Sequence, residues 1–353
     1  MKYLLAIDSF KGCLTSSEAE KAAAEGILNV DENAEIISVP VSDGGEGMIE
    51  AFSNSLKGEL ITAKIHDPLM RLISSEYFIS TEGIAIIEIA KACGITLLSD
   101  NERNPLITTS YGVGELILDA LSRGCKNFII GLGGSATSDC GIGMLRALIN
   151  SLAKDKHFDD INLDVNITLA SDVTNPLYGK YGAAHVFGRQ KGATAEMIEW
   201  LDLKAKKFAE VSARHFGYDC SNLPGAGAAG GLGYAFLQYF GAKSRPGVDL
   251  LFDIINFNNK LEDVDYVITG EGRADDQTIM GKLPYGVLKR AKIKNKKVYL
   301  IAGKIEDKVL LVEAGFDEVI CINNNDMDLA QAINPENAKA NIKATMINLY
   351  KNK

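Results

Sequence analysis

The 353-residue sequence contains one tryptophan, four histidines and six cysteines, and no two cysteines stand as a CxxC pair. Cys13, Cys93, Cys125, Cys140, Cys220 and Cys321 are scattered and the histidines lie far apart. Neither a zinc site nor a disulfide framework is expected, and most of the cysteines read as small buried or half-buried residues. His185, between Ala184 and Val186, reads as a strand residue, and His66, beside Asp67, as a turn residue. Neither has a serine or cysteine arranged for a hydrolytic triad. The opening MKYLLAIDSF is broken by Asp8 too early for a signal peptide or a membrane span, so the cytoplasm is the expected compartment. No basic block offsets the net charge of −9, which argues against nucleic acid and anionic membrane as partners. Any anionic ligand must be held by local donors. There is no GxxxxGK[ST], which excludes a P-loop.

Glycine, in contrast, is plentiful, and it clusters where apolar runs end. The length suggests two domains. Both ends of the chain alternate short β runs with helical patterns, as a parallel sheet does. Strands are expected at Tyr3 to Ile7, Ile36 to Val41, Tyr266 to Thr269, Val298 to Ile301 and Glu318 to Ile322, enough for a flavodoxin-like sheet. Thr15 with Glu18 forms a capping box for a helix to about Leu28, and a helix is expected from Glu46 to Leu56. In the middle, Leu60 to Ile65, Glu76 to Ser80 and Ile84 to Ile89 follow one another through turns alone, as antiparallel strands do. Helices at Val113 to Ser122 and after Ser138, strands at Phe128 to Ile130 and Ile167 to Ala170, a long helix at about Ala195 to Phe216 and a Gly-rich one at Gly227 to Phe240 complete it. The reading is an α/β protein in which residues 1–60 and 260–353 form a flavodoxin-like parallel-sheet domain. Residues 61–259 form an inserted mixed α/β domain, with the cleft between the two as the expected site.

Five strand ends run into loops of one kind: Asp8-Ser9-Phe10-Lys11-Gly12, Ser42-Asp43-Gly44-Gly45-Glu46-Gly47, Gly131-Leu132-Gly133-Gly134-Ser135-Ala136-Thr137-Ser138-Asp139-Cys140-Gly141, Ser171-Asp172-Val173-Thr174-Asn175-Pro176 and Gly270-Glu271-Gly272-Arg273-Ala274-Asp275-Asp276. Each alone reads as an ordinary turn or cap. Together they supply hard oxygen ligands for a metal, backbone amides for phosphate oxygens and an acid to take a hydroxyl proton. Lys11 precedes a helix, where its charge could help hold an anion. Lys191, ahead of the long helix, reads as a solvated lysine on composition alone. GxGxxG occurs in Gly225 to Gly233, but Pro224 and polar residues precede it where a dinucleotide fingerprint needs a strand. Close helix packing is at least as good an account.

The segments AIDSFKG, VPVSDGGEG, HDPLMR, RNPLITTSYGVGELI, IIGLGGSATSDCGIGMLRAL, SDVTNPLYG, FGRQKGAT, PGAGAAGGLG and DYVITGEGRADDQTIMGK, in this order, resemble the bacterial glycerate kinase family. The resemblance covers Met1 to about Gly303. It implies a flavodoxin-like domain built from both chain ends and an inserted domain likened to restriction endonucleases. It also implies ATP, a divalent metal taken as Mg2+, and D-glycerate as ligands, with 2-phosphoglycerate as product and 3-phosphoglycerate as the alternative. Four positions depart from the pattern: Cys13 stands where Ser is common, Cys140 breaks an Asn-Asp-Gly-Gly run, Arg189 replaces a Pro and Met70 a Gly.

On this reading Lys11, Asp43 and Asp172 are the catalytic candidates, with Asp43 and Asp172 as base and metal ligand in either order. Asp8, Ser9, Gly44, Gly45, Glu46, Asn104, Gly133, Gly134, Ser135, Asp139, Asn175 and Lys191 are candidates for holding substrate or phosphate. Asp139 could instead cap the following helix. Glu271 and Asp276 join Asp172 as candidate metal ligands, and Gly227, Gly230 and Gly231 are candidates for the nucleotide. A monomer or homodimer is expected. An NAD-dependent hydroxy-acid dehydrogenase or a glycerate sensor without catalysis is a remote alternative.

Overall fold

A computed structural model describes residues 1–10, 12–41, 47–153, 161, 163–324 and 327–351. Among these, eleven strands follow in chain order: β1 (Lys2–Ile7), β2 (Glu35–Ser38), β3 (Gly58–His66), β4 (Leu72–Ser80), β5 (Ile84–Glu88), β6 (Asn127–Gly131), β7 (Asn166–Ala170), β8 (Lys243–Arg245), β9 (Tyr266–Ala274), β10 (Lys297–Ile305) and β11 (Glu318–Cys321). The chain divides into two compact units, Met1–Asp43 with Val248–Lys353, and Gly44–Gly247.

The unit made from both chain ends carries a five-stranded sheet, ordered β11-β10-β9-β1-β2 and parallel throughout. That is the flavodoxin-like order, in which ligands bind beyond the carboxyl ends of the strands, near the switch in strand order between β1 and β9. Leu4, Leu5, Ile7, Val267, Ile268, Leu300 and Ile301 are wholly buried, as expected of strands covered on both faces. The helix Ser16–Leu28 begins with the expected capping box: Thr15 Oγ1 accepts from the Glu18 amide at 3.2 Å and Glu18 Oε2 from the Thr15 amide at 3.0 Å.

β9 runs to Ala274, five residues past the expected end at Thr269. Glu271 is therefore a strand residue and not a loop residue. Gly270 imitates a turn signal but answers to strand packing, since a Cβ there would meet the Ile301 carbonyl oxygen at 2.6 Å.

The other unit carries a six-stranded mixed sheet, β3-β4-β5-β6-β7-β8, with β3, β4 and β5 antiparallel and the pairs from β5 to β8 parallel. Its core buries Tyr77, Phe128, Tyr234 and Phe236, large side chains worth about 1.5–3 kcal/mol each when fully buried. The long helix Ala195–Phe216 lies where its pattern placed it, capped by Thr194 and ended by the left-handed Gly217. Two histidines differ from expectation. His185 lies on the helix Ala183–Phe187, and His66 closes β3, its amide and ring nitrogen held by Glu115 at 2.6 and 2.8 Å. All six cysteines are free, four of them buried. Among the described residues no helix is long and apolar enough to cross a membrane.

Candidate functional site

Lys11, Asp43, Gly44, Gly45 and Glu46 lie outside the described residues. The remaining candidates fall into two groups, one in each unit.

In the flavodoxin-like unit, a cavity of about 790 Å3 opens at the carboxyl edge of the sheet. Asp8 and Ser9, which follow β1, line it together with Glu271 and Arg273 on β9. Asp8 is buried and accepts from the Ser9 amide at 2.7 Å. Glu271 is buried as well, and burial pushes its carboxyl pKa up while Thr278 and Lys282 oppose the shift. Thr278 Oγ1 donates to Glu271 Oε1 at 2.6 Å, and Lys282 Nζ lies 3.3 Å from Glu271 Oε2 and 3.2 Å from Asp275 Oδ1. Lys282 was not legible as a site residue, because nothing local in Met280-Gly281-Lys282 shows that its ammonium bridges two strand-end acids. Asp276 is exposed and accepts from the Gln277 amide at 2.9 Å.

In the inserted unit, five segments converge beyond β6. The loop Gly131 to Gly141 lies against Cys93 to Ile95: the Ala136 amide donates to Cys93 O at 2.8 Å and the Ile95 amide to Gly134 O at 2.9 Å. Gly134 takes the left-handed conformation (φ 71°) that lets this turn close, next to the half-buried Gly133. Thr108 Oγ1 donates to Ala136 O at 3.0 Å, which joins the loop to the segment carrying Asn104. Asn104 in turn caps its own turn, accepting from the Leu106 amide at 3.0 Å.

Lys191 is buried, contrary to the solvated reading. Its ammonium donates to Ser135 Oγ at 2.9 Å and to Thr137 O at 2.7 Å. Burial pushes its pKa down to about 8, against the pull of Cys93, Asp139 and Cys140. The buried Ser138 hydroxyl has no hydrogen-bond partner among the described residues, an arrangement that native interiors rarely leave unexplained.

Asp139 is engaged with the protein itself. Its Oδ2 accepts from the Ser110 amide and hydroxyl, both at 2.9 Å, and from the Gly143 amide at 3.0 Å, while Oδ1 accepts from Gly141 at 3.1 Å. It thereby fixes the starts of the helices Tyr111–Ser122 and Ile142–Leu152 to one another. Asp172 is exposed on the loop after β7. Asn175, on the same loop, donates through Nδ2 to Tyr181 O at 2.9 Å, and its main-chain carbonyl accepts from the Gly227 amide at 2.9 Å.

The Gly-rich stretch is not a regular helix start. Ala229, Gly230 and Gly231 all have positive φ, and helical geometry resumes at Leu232. A Cβ on Gly230 would land on the Thr137 carbonyl oxygen, one on Gly227 on Pro176 O, and one on Gly231 would sit 2.6 Å from Leu177 Cδ1. Gly230 and Gly231 let the turn lie directly on the Gly131 to Gly141 loop, and Gly227 lets it approach the Pro176 backbone.

Among the described residues no three His, Cys, Asp or Glu side chains are grouped to hold a metal ion. Mg2+ that arrives with a nucleotide is bound mainly by phosphate oxygens and water, and needs only one or two carboxylates. The exposed acids Asp172 and Asp276 among the described residues suit that role.

A family model described as the glycerate kinase family matches residues 3–352. The chain is 40% identical over 355 residues to the glycerate kinase of Haemophilus influenzae, spanning 94% of each protein. It is 40% identical over 344 residues to the glycerate 2-kinase of Escherichia coli, spanning 91% of this chain and 90% of that protein. A crystal structure from Salmonella typhimurium LT2, provisionally identified as glycerate kinase 2, superposes with a TM-score of 0.83 at 38% identity, covering 100% of this chain and 98% of the other.

Proposed function

Since the chain belongs to the glycerate kinase family and is an enzyme and a kinase, we propose that it phosphorylates D-glycerate with ATP at the 2-hydroxyl by direct in-line transfer. The observation that carries this reading is the environment of Lys191. Its ammonium is buried, and among the described residues both of its hydrogen-bond partners, Ser135 Oγ and Thr137 O, are neutral. Asp139, the nearby carboxylate, is already held by Ser110, Gly141 and Gly143. A buried cation without a close anion is costly, and a carboxylate or phosphate bound at the Gly133 to Ser138 turn relieves that cost. D-glycerate brings such a carboxylate.

In phosphoryl transfer the protein mainly positions the reactants and neutralises charge on the moving group. In this scheme the Gly133 to Ser135 turn and Lys191 hold an anionic group, and Asp172 and Asp43 serve as base and metal ligand. Lys11 with Gly44 and Gly45 supplies further donors to phosphate. Mg2+, carried with ATP and touching one or two of Asp172, Glu271 and Asp276, would neutralise phosphate charge. The test is ADP release measured with and without D-glycerate. Strict dependence on D-glycerate supports the reading, and equal release without it, or none at all, refutes it.

A further inference from the structure

The cavity at the carboxyl edge of the parallel sheet has two chemistries in its lining. Asp8, Glu271, Arg273, Lys282 and Lys304 make one part charged. Met327, Leu329, Ala332 and Ile333, from the segment after β11, make the other part apolar. Leu329 is 76% exposed and Ile333 48% exposed. Single exposed aliphatic side chains are ordinary, but here two of them share the lining of one cavity with Met327 and Ala332.

Asn323 and Met327 both meet the side chain of Asn341. Asn323, which also lines the cavity, donates through Nδ2 to Gly303 O at 2.9 Å, and its Oδ1 accepts from Asn341 Nδ2 at 2.9 Å. Asn341 Nδ2 also approaches Met327 Sδ at 3.5 Å. Amide side chains thus join the end of β10, the segment after β11 and the C-terminal helix Pro335–Lys351.

Resting on the kinase reading above, we infer that the apolar wall formed by Met327, Leu329, Ala332 and Ile333 is the nucleobase subsite, with the polyphosphate directed toward Arg273, Lys282 and Lys304. Of the two ligands of the reaction, only a nucleoside triphosphate combines a flat, largely apolar ring with a polyanionic tail. Glycerate has no surface that would use an aliphatic wall. The volume suits a nucleotide, since small-molecule pockets span roughly 300–1,000 Å3. The cavity also adjoins β1 and β9, the switch point where ligands bind in sheets of this order.

The test is equilibrium binding of MgATP and of magnesium tripolyphosphate to the wild-type protein and to Leu329→Asp. Leu329 is exposed, and a substitution there removes no core contact. The Kd for MgATP should rise at least tenfold, about 1.4 kcal/mol, while the Kd for tripolyphosphate stays within twofold. An unchanged MgATP affinity, or equal weakening of both ligands, overturns the inference. A second readout needs no variant: adenosine alone should slow alkylation of the exposed Cys321, which lines the same cavity. No protection by adenosine also overturns it. Failure here is separable from failure of the kinase reading. Glycerate-dependent ADP release with the same KM for ATP in wild type and Leu329→Asp removes the subsite and keeps the kinase, whereas no ADP release from the wild type removes both.

Discussion

The Lys191 ammonium donates to Ser135 Oγ at 2.9 Å from a buried position 56 residues further along the chain. Folding holds this cation in place before any anion arrives. Burial pushes its pKa from 10.5 down to about 8. Between about pH 8 and 10.5 the unfolded chain keeps a proton that the folded chain has released, so this group makes stability rise with pH across that window. Below about pH 8 both states are protonated and the full cost of the buried charge remains. Anion binding runs the other way, since the charge is lost above about 8. The kcat/KM for D-glycerate should therefore fall roughly tenfold per pH unit above about pH 8, and Lys191→Met should lack this alkaline limb. The same limb in Lys191→Met would contradict the assignment.

Gly230→Ala tests packing against ligand binding in the Gly-rich turn. The residue has φ 65°, and a Cβ would strike the Thr137 carbonyl and lie 2.8 Å from Ser138 Cα. A loss of about 3 kcal/mol or more in urea denaturation is expected. A stably folded variant with weakened ATP binding would instead place the nucleotide here.

Met70 stands where the resemblance leads one to expect glycine, and it adopts φ 62° in the turn between β3 and β4. The turn is closed by the Met70 amide on Asp67 O at 3.0 Å and by Asp67 Oδ1, which accepts from the Leu69 and Arg71 amides at 2.8 and 2.9 Å. A left-handed L-residue costs about 1–2 kcal/mol, partly offset by the greater entropy that glycine loses on folding. Met70→Gly should therefore stabilise the protein by about 0.5–1 kcal/mol in urea denaturation, and a loss of stability would show that the side chain contributes more than the strain costs.

Asp172→Asn should lower turnover at least about a hundredfold, or about 2.7 kcal/mol of barrier. The variant should remain folded, because the residue is exposed on a loop. Steady-state kinetics and thermal melts on one preparation check both. Near-normal turnover would remove Asp172 from the site.

How much could be read from the sequence depended on the range of the interactions involved. The helix Ala195–Phe216 and the capping box of Thr15 and Glu18 are set by residues a few positions apart, so pattern and caps sufficed. The parallel sheet was legible because its strands are continuous apolar runs. The end of β9 was not, since Gly270 serves a neighbouring strand and imitates a turn. The burial of Lys191 and the hold of Asp139 on Ser110 depend on partners about thirty or more residues away, which local reading does not supply. Asp139 illustrates the limit: it could be read as a ligand or a cap, and it joins the starts of two helices. The wall of Leu329 and Ile333 gave no signal at all, because two exposed aliphatic residues near a chain end have no pattern until β11 brings them to the sheet edge.

Phosphorus NMR of the protein incubated with ATP, Mg2+ and D-glycerate tests the central claim most directly. The account predicts a 2-phosphoglycerate signal growing with ADP. A 3-phosphoglycerate signal would contradict the choice of hydroxyl, and intact ATP with no phosphoglycerate would contradict the kinase reading itself.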